Sequence, residues 1–299
     1  MTISSTCHIE SRPQLSPSGH ITFSNIRGKG VKIGAPVKTD EKVVSESTQR
    51  VRTAEFECPF PTEKRKLLII PQISTRYSRR EGNYARIADA VERITTLRRG
   101  NYFVFLPSFD FLERVAALFR APEGFTVLRQ ERGMKASAVE AIVDNLRNLD
   151  APTIVFAVQG GSFSEGMDYA GDMVIGAFVV GPPLPGYDLE REQMKEYYQR
   201  QYGAGFDYAY VISAMAKAIQ AAGRVIRSET DRGLIVLMDS RFIEPGYTRS
   251  MPADWFESDV SELVSGSILS EVADFWEGQL ESSCRPLEAG KISRHRRGM

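Results

Sequence analysis

The sequence is poor in the residues that build metal and redox sites. Among its 299 residues are three cysteines and three histidines: Cys7, Cys58, Cys284, His8, His20 and His295. The cysteines lie far apart, form no CxxC pair and cannot supply the four thiolates of an iron–sulfur cluster. The histidines lie near the termini, outside any strong periodic pattern. We therefore predict no metal ligands, no iron–sulfur cluster in this chain and no Ser–His–Asp chemistry.

Long apolar segments are also missing. No stretch reaches the roughly 18–20 apolar residues of a membrane-spanning helix, and the longest candidate, Met173 to Gly181, has the length of a strand. The first residues (MTISSTCHIESRPQ) lack the apolar core of a signal peptide. We predict no membrane partner and a reduced, cytoplasmic location, nucleoid-associated in a bacterium and nuclear in a eukaryote.

Two nucleotide-binding motifs are absent from the sequence. It contains no GxxxxGK[ST] phosphate loop and no acidic DExx box after a buried strand. A domain without them cannot hold and activate a nucleotide by itself. A complete P-loop kinase is thereby excluded.

Charge of one sign is not in excess over the whole chain, since 38 basic residues balance 38 acidic ones. The distribution is uneven, however. Residues 1–100 hold 18 basic and 10 acidic residues, whereas residues 201–299 hold 11 and 14. An anionic partner is therefore expected to prefer the first third of the chain.

Apolar runs alternating with amphipathic stretches are present from residue 67 onward. The predicted strands are Leu67–Ile70, Tyr102–Leu106, Phe125–Leu128, Thr153–Val158, Met173–Val180 and Leu234–Met238. The predicted helices between them are Glu81–Arg99, Phe109–Phe119, Val139–Leu149 and Ala209–Ile226. Strands that are apolar throughout and alternate with helices indicate an α/β fold with a parallel sheet covered on both faces. We divide the chain into an irregular extension (1–57), this domain (58–249), an acidic segment with a helix over Ser261–Phe275 (250–285) and a flexible tail (286–299).

The first candidate site is the loop that follows the predicted strand Thr153–Val158. It reads Gln-Gly-Gly-Ser-Phe-Ser-Glu-Gly-Met-Asp over residues 159–168. Paired glycines permit a tight turn with exposed backbone N–H groups. Its polar residues are Ser162, Ser164, Glu165 and Asp168. The alternative is an ordinary strand–helix turn in which Asp168 is a cap.

The second candidate site lies at the end of the predicted helix Ala209–Ile226. Lys217, Gln220, Arg224 and Arg227 follow a 3-4-3 spacing and would share one helix face, away from the apolar stripe. Two arginines one turn apart suit a polyphosphate, because each guanidinium donates bidentately. The alternative is a solvated basic stripe at a helix C-terminus. On this placement, replacing either arginine by alanine would open no cavity in the core.

Three segments, in order along the chain, resemble motifs of superfamily 2 DNA helicases of the XPD/DinG type. Residues 103–109 (FVFLPSF) resemble the fourth motif of the C-terminal motor domain, and residues 161–169 (GSFSEGMDY) resemble the fifth. Residues 220–227 (QAAGRVIR), continued by DRG at 231–233 and DSRF at 239–242, resemble the sixth. The resemblance covers about residues 58–277. It implies a RecA-like domain.

The resemblance also implies roles for individual residues. In such helicases ATP lies between two RecA-like domains, and the second supplies arginines to the γ-phosphate. Arg224 and Arg227 would be these catalytic arginines, with Gln220 beside them. Gly161, Glu165 and Asp168 would belong to the nucleotide site and couple it to the DNA. The nucleic-acid strand would be contacted by three serines: Ser108, Ser162 and Ser164.

The absence of a phosphate loop implies half of a motor. We expect ATP and Mg to be held mainly by a missing N-terminal motor domain, supplied in cis or in trans, and single-stranded DNA to be the nucleic-acid partner. Alone, the chain is expected to hydrolyse no ATP. The open alternative is a non-enzymatic remnant or a stand-alone RecA-like interaction module.

Overall fold

The computed structural model of the chain describes residues 14–15, 21–22, 60–149 and 151–283. The chain divides into two compact units, Met1–Cys58 and Pro59–Met299. In the first unit β1 (Gln14–Leu15) and β2 (Ile21–Thr22) pair antiparallel. The cysteines, the histidines, the rest of the predicted extension and the predicted tail lie outside the described residues.

The second unit is built on a six-stranded sheet. Its strands are β3 (Arg65–Ile69), β4 (Tyr102–Leu106), β5 (Thr126–Arg129), β6 (Thr153–Val158), β7 (Gly176–Val180) and β8 (Gly233–Met238). They lie in the order β3-β8-β7-β4-β6-β5, and every neighbouring pair is parallel. The predicted parallel sheet is confirmed, with each strand boundary within three residues of the prediction.

The strands are apolar throughout because both faces of the sheet are buried. All residues of β4, β6, β7 and β8 are buried, while the outer strand β5 is partly exposed. One apolar cluster includes Phe103 and Ile235, and the cluster on the other face includes Val104 and Val236. Successive residues of a strand point to opposite faces, so each strand contributes to both clusters.

Seven α-helices accompany the sheet in the described residues. They are α1 (Tyr84–Thr95), α2 (Phe109–Leu118), α3 (Ala136–Arg147), α4 (Leu189–Tyr202), α5 (Ile212–Ala222), α6 (Pro245–Thr248) and α7 (Ile268–Ser283). Helices α1 and α2 pack on one face and α3 and α5 on the other. No helix of the described part is long and apolar enough to span a bilayer.

Helix α4 is not among the predicted elements. It buries no residue, so it lacks the apolar periodicity from which the other helices were predicted. Its ends nevertheless carry capping signals. The Asp188 carboxylate accepts from the Arg191 N–H at 2.8 Å, and Gly203 adopts a left-handed φ of 69°.

Three predicted helices are wrong in extent. The helix predicted over Glu81–Arg99 is shorter at both ends, since α1 spans Tyr84–Thr95. In place of Ala209–Ile226 the chain forms a π-helical turn (Asp207–Val211) followed by α5, which ends at Ala222. Gly223 therefore caps the helix and is not inside it. In place of Ser261–Phe275 the chain forms a 3-10 turn (Val260–Leu263) and then α7.

The acidic segment after residue 249 contributes to the core. Trp255 and Leu263 are buried in one apolar cluster, and Val272 and Trp276 in the other. Its acidic residues thus alternate with apolar anchors, so the segment packs against the sheet.

Candidate functional site

The loop after β6 carries its polar residues across one face of the sheet. Residues 159–175 join the carboxyl end of β6 to the amino end of β7, and these strands are both parallel to β4. The loop must therefore run along the sheet from the carboxyl ends of the strands to their amino ends. It meets the segment between α5 and β8, which contains both candidate arginines. This segment precedes β8, so the arginines lie before the amino end of that strand and not at the carboxyl ends of the strands, where parallel sheets usually bind ligands.

Arg224 is buried against this loop. Its side chain is 3% exposed, and Nη1 donates to the Met167 carbonyl. Its Nε has no hydrogen-bond partner among the described residues. Burial, followed by the charge of Arg227, lowers the pKa of this guanidinium. Arg224 lies beyond the end of α5 and not on a solvated helix face. The expectation that its removal opens no cavity is therefore replaced by an expected loss of stability.

Arg227 lies between the loop and the solvent. Its Nη2 donates to the Met167 carbonyl at 3.4 Å, and its Nε lies 3.4 Å from an oxygen of Asp168, at ion-pair distance. The Arg227 side chain is 12% exposed and that of Asp168 is 80% exposed. The two arginines and Asp168 thus converge on one short stretch of the loop. Gln220 is exposed on α5.

Asp231 fixes the backbone at Arg227. This buried carboxylate accepts from the N–H of Arg227 at 2.8 Å and of Ser228 at 2.9 Å. It also accepts from the Ser228 hydroxyl. Because three donors converge on one aspartate, these local hydrogen bonds stabilise the turn that carries Arg227.

The glycine pair fits a tight turn at the carboxyl end of β6. Gly160 has a left-handed φ of 74°, and a Cβ there would lie 3.2 Å from the Lys217 side chain. A Cβ on Gly161 would lie 2.8 Å from Gln130 Nε2 and from Val158. The Gly161 carbonyl accepts from the N–H of Ser164 and of Glu165. Glycine is therefore required by conformation at one position and by close packing at the other.

The three candidate serines occupy different environments. Ser108 is the exposed N-cap of α2, and its Oγ accepts from the Phe111 N–H at 3.2 Å. Ser162 is exposed on the loop. Ser164 is fully buried and donates its hydroxyl proton to the Gly161 carbonyl. In this conformation Ser164 stabilises the loop, so Ser162 and Ser108 are the serines whose side chains a strand could reach.

A buried polar cluster joins the carboxyl ends of β3 and β8, and its role was not predicted. The fully buried Asp239 carboxylate accepts from the N–H and hydroxyl of Thr75, both at 2.7 Å, and from Arg241 Nε at 2.9 Å. Burial opposes ionisation of Asp239, but the hydrogen bonds and charge of Arg241 outweigh it and lower the pKa. From the sequence, the DSRF segment (239–242) is identified only as a continuation of the sixth motif. A single sequence does not reveal that Thr75 is the partner.

The site can accept an anion but offers no group of metal ligands. In the described part of the chain no three His, Cys, Asp or Glu side chains could hold a metal ion. By contrast, the Arg224 Nε is a buried donor without a hydrogen-bond acceptor there, and the Arg227 Nε has only its ion-pair contact with Asp168 at 3.4 Å. Buried donors of this kind are costly unless a partner completes them. The residues present therefore fit an anion better than a metal ion.

The fully parallel sheet covered by helices, with the paired arginines between α5 and β8, has the RecA-like fold of helicase motor domains. The family described as helicase C-terminal domain matches residues 91–258, more than half of the chain. The chain belongs to this family, as an XPD/DinG-type C-terminal helicase domain.

Relatives and a solved structure agree with this assignment. The chain is 28% identical over 208 residues to the ATP-dependent DNA helicase chl1 of Aspergillus niger, covering 58% of this chain and 24% of that protein. It is 37% identical over 102 residues to the ATP-dependent DNA helicase DinG of Photobacterium profundum, covering 33% and 14%. A structure named XPD helicase superposes with a TM-score of 0.51 at 21% identity, covering 62% of this chain and 33% of that one, and shows the shared RecA-like fold. The chain thus spans about a quarter of the length of the first curated relatives.

Proposed function

We propose that this domain is the second motor domain of an ATP-dependent DNA helicase. Arg224 and Arg227 stabilise the γ-phosphate of an ATP that a first motor domain binds together with Mg. That first domain belongs to the same polypeptide or to a separate one. The observation that carries the proposal is the convergence of both arginines on the Met167–Asp168 stretch, where the buried Nε of Arg224 has no hydrogen-bond partner among the described residues.

The two arginines have different parts in this mechanism. Arg227 is nearer to solvent and is paired with an exposed carboxylate, so it reaches a phosphate with little rearrangement. A γ-phosphate would take the place of Asp168 as its anionic partner. Arg224 is buried and donates to the Met167 carbonyl. This hydrogen bond must break before the Arg224 guanidinium reaches the phosphate. Guanidinium groups aimed at developing charge lower the barrier to phosphoryl transfer.

The same contacts provide a route from nucleotide to nucleic acid. Displacing Met167 and Asp168 from the arginines moves the loop that begins at Gly161. Glu165 and Ser162 are exposed on this loop, at its end nearest the carboxyl edge of the sheet. Occupation of the γ-phosphate position thus changes the positions of the loop residues that would contact a bound strand.

Strand binding is assigned to the carboxyl edge of the sheet. Ser108 is there, at the N-terminus of α2, where unpaired backbone N–H groups favour an anion. Its hydroxyl and these N–H groups would contact a phosphate of single-stranded DNA, with Ser162 on the neighbouring loop. Contacts to the strand backbone give affinity with little dependence on sequence.

The test is ATPase activity with and without a partner. The purified chain, a matching N-terminal motor domain and their mixture are assayed for ATP turnover with and without single-stranded DNA. We expect DNA-stimulated turnover in the mixture and none for this chain alone. Robust turnover by the chain alone, or a partner whose turnover this chain never changes, would reject the proposal. The second result would favour a stand-alone interaction module.

A further inference from the structure

Helix α4 is attached to the domain along one of its faces. Arg191 Nη1 donates to the Ala209 carbonyl at 2.7 Å, and the Tyr210 hydroxyl donates to Glu192 Oε1 at 2.8 Å. These hydrogen bonds join α4 to the π-helical turn (Asp207–Val211). The opposite side of the helix is therefore turned away from the turn that holds it.

That opposite side is exposed and carries apolar side chains. Its four central positions are 190, 193, 197 and 200, which follow the a and d spacing of helices that pack side by side, and all four are exposed. We call them the outer face of α4. Helices of a globular domain usually turn their apolar residues inward, yet Tyr197 on this face exposes 51% of its surface, and beside it Leu189 exposes 76%. A shallow groove of about 680 Å³ along the face is lined by Leu189, Glu190, Gln193, Met194, Tyr197 and Tyr198.

The two ends of the outer face carry opposite charges. Glu190 lies in the first turn of α4 and Arg200 in the last. Both side chains are exposed, and neither has an ion-pair partner in the part of the chain that the structure describes. By contrast, Lys195 on the attached side lies 3.0 Å from the Glu192 carboxylate. The outer face is thus complementary in charge to a copy of itself that runs in the opposite direction.

We propose that the outer face of α4 binds a second copy of this chain, with the two helices antiparallel about a two-fold axis. When the helices cross at the level of Lys195, Glu190 of each copy lies opposite Arg200 of the other. Both residues are about 7.5 Å along the axis from this crossing. At the crossing angle of about 20° and separation of about 8–10 Å that packed helices adopt, their long side chains can meet.

The same register buries the apolar part of the face. Gln193 of each copy lies opposite Tyr197 of the other, so the two tyrosine rings occupy the centre and the charge pairs lie at the rim. Tyrosine is among the residues that contribute most to binding when it lies at the centre of an interface. A two-fold axis uses each of these contacts twice.

Other occupants fit the outer face less well. A partner segment of one charge would be attracted by one end of the face and repelled by the other. A nucleic-acid strand is disfavoured because α4 carries as many acidic residues as basic ones: Glu190, Glu192 and Glu196 against Arg191, Lys195 and Arg200. The proposed association involves neither ATP nor DNA, so it does not depend on the proposed function.

The first test is sedimentation equilibrium of the full chain over a range of concentrations at low salt. We expect a monomer–dimer equilibrium. Tyr197→Ala should weaken association by roughly 10-fold or more, because each dimer loses the side chain twice. Tyr77→Ala is the matched control, since Tyr77 is 81% exposed and lies outside α4. Circular dichroism and the melting temperature show that each variant is folded.

The second test reverses the charges at the two ends of the face. Glu190→Arg or Arg200→Glu alone places like charges opposite each other twice, so each should weaken association by roughly 5- to 100-fold. An equimolar mixture of the two variants should associate as strongly as wild type, because every pair between unlike chains is again complementary. Glu140→Arg, at an exposed position of α3, is the charge control and should have no effect.

Three results would overturn the proposal. The first is a wild-type chain that stays monomeric at every concentration. The second is a dimer that Tyr197→Ala leaves unchanged, since the copies would then meet elsewhere. The third is a mixture of Glu190→Arg and Arg200→Glu that associates no better than either variant alone, which would exclude the antiparallel register. A monomeric chain that binds an N-terminal motor domain through Tyr197 would assign the outer face to that domain instead.

Discussion

Replacing Asp239 by alanine should be among the most destabilising single changes in the domain. Five donors, from Thr75 and Arg241, point at this carboxylate, which is fully buried. Without it the Arg241 guanidinium stays buried with no anionic partner. Removing one member of a buried ion pair costs about 3–5 kcal/mol. For a domain of this size, each kcal/mol lowers the melting temperature by about 2–4 °C, so we expect a fall of roughly 6–20 °C.

The assay is urea unfolding followed by circular dichroism, with thermal melting alongside. Glu244→Ala is the matched control, because the Arg76–Glu244 pair has a similar distance but both side chains are more than 40% exposed. An exposed pair contributes about 0–1 kcal/mol. If Asp239→Ala and Glu244→Ala unfold at the same urea concentration, the buried cluster does not hold the carboxyl ends of β3 and β8 together.

Three further predictions follow from individual contacts. The pKa of Asp239 is lowered in the folded chain, so the charged carboxylate contributes its full stabilisation above the ordinary aspartate pKa of about 3.9. The difference in unfolding free energy between wild type and Asp239→Asn should therefore be constant from pH 7 to about pH 4 and decrease below pH 4. A decrease that begins already near pH 6 would contradict the assignment. Gly181→Ala should lower the free energy of unfolding by at least about 1 kcal/mol, because Gly181 has a φ of 64° and a Cβ would collide with Thr75. Gly186 has open space around it, so Gly186→Ala should leave the free energy of unfolding nearly unchanged. Equal losses in the two variants would refute the argument. Ser108→Asp should keep the cap of α2 and the melting temperature but weaken single-stranded DNA binding, measured by fluorescence anisotropy; unchanged affinity would remove Ser108 from the strand site.

The fold was predictable because its strongest signals are local. Buried parallel strands such as Tyr102–Leu106 and Thr153–Val158 read as continuous apolar runs, and both were predicted with their observed ends. Helix α4 was missed because none of its residues is buried, so tertiary packing left no apolar stripe in its sequence. The predicted helix Ala209–Ile226 was too long, because its periodicity continues through Val225 and Ile226, which are buried although the helix ends at Ala222.

The sequence motifs identified the residues of the candidate site, but not their burial or their contact partners. The sequence placed Arg224 and Arg227 together, and the structure brings both to Met167 and Asp168. It could not indicate that Arg224 is buried, because that depends on a loop more than 50 residues away. The Thr75–Asp239 contact escaped prediction for the same reason, since its partners are 164 residues apart.

The central claim is that the paired arginines act on ATP held by another motor domain. Its most direct test is DNA-stimulated ATPase activity of the chain combined with a matching N-terminal motor domain, comparing wild type with Arg227→Ala. We predict that kcat falls by roughly 10³-fold or more while KM changes little, because the partner makes most ground-state phosphate contacts. Arg227→Lys should recover little, and Lys217→Ala should be milder. Full turnover by a folded chain carrying both Arg224→Ala and Arg227→Ala would contradict the account.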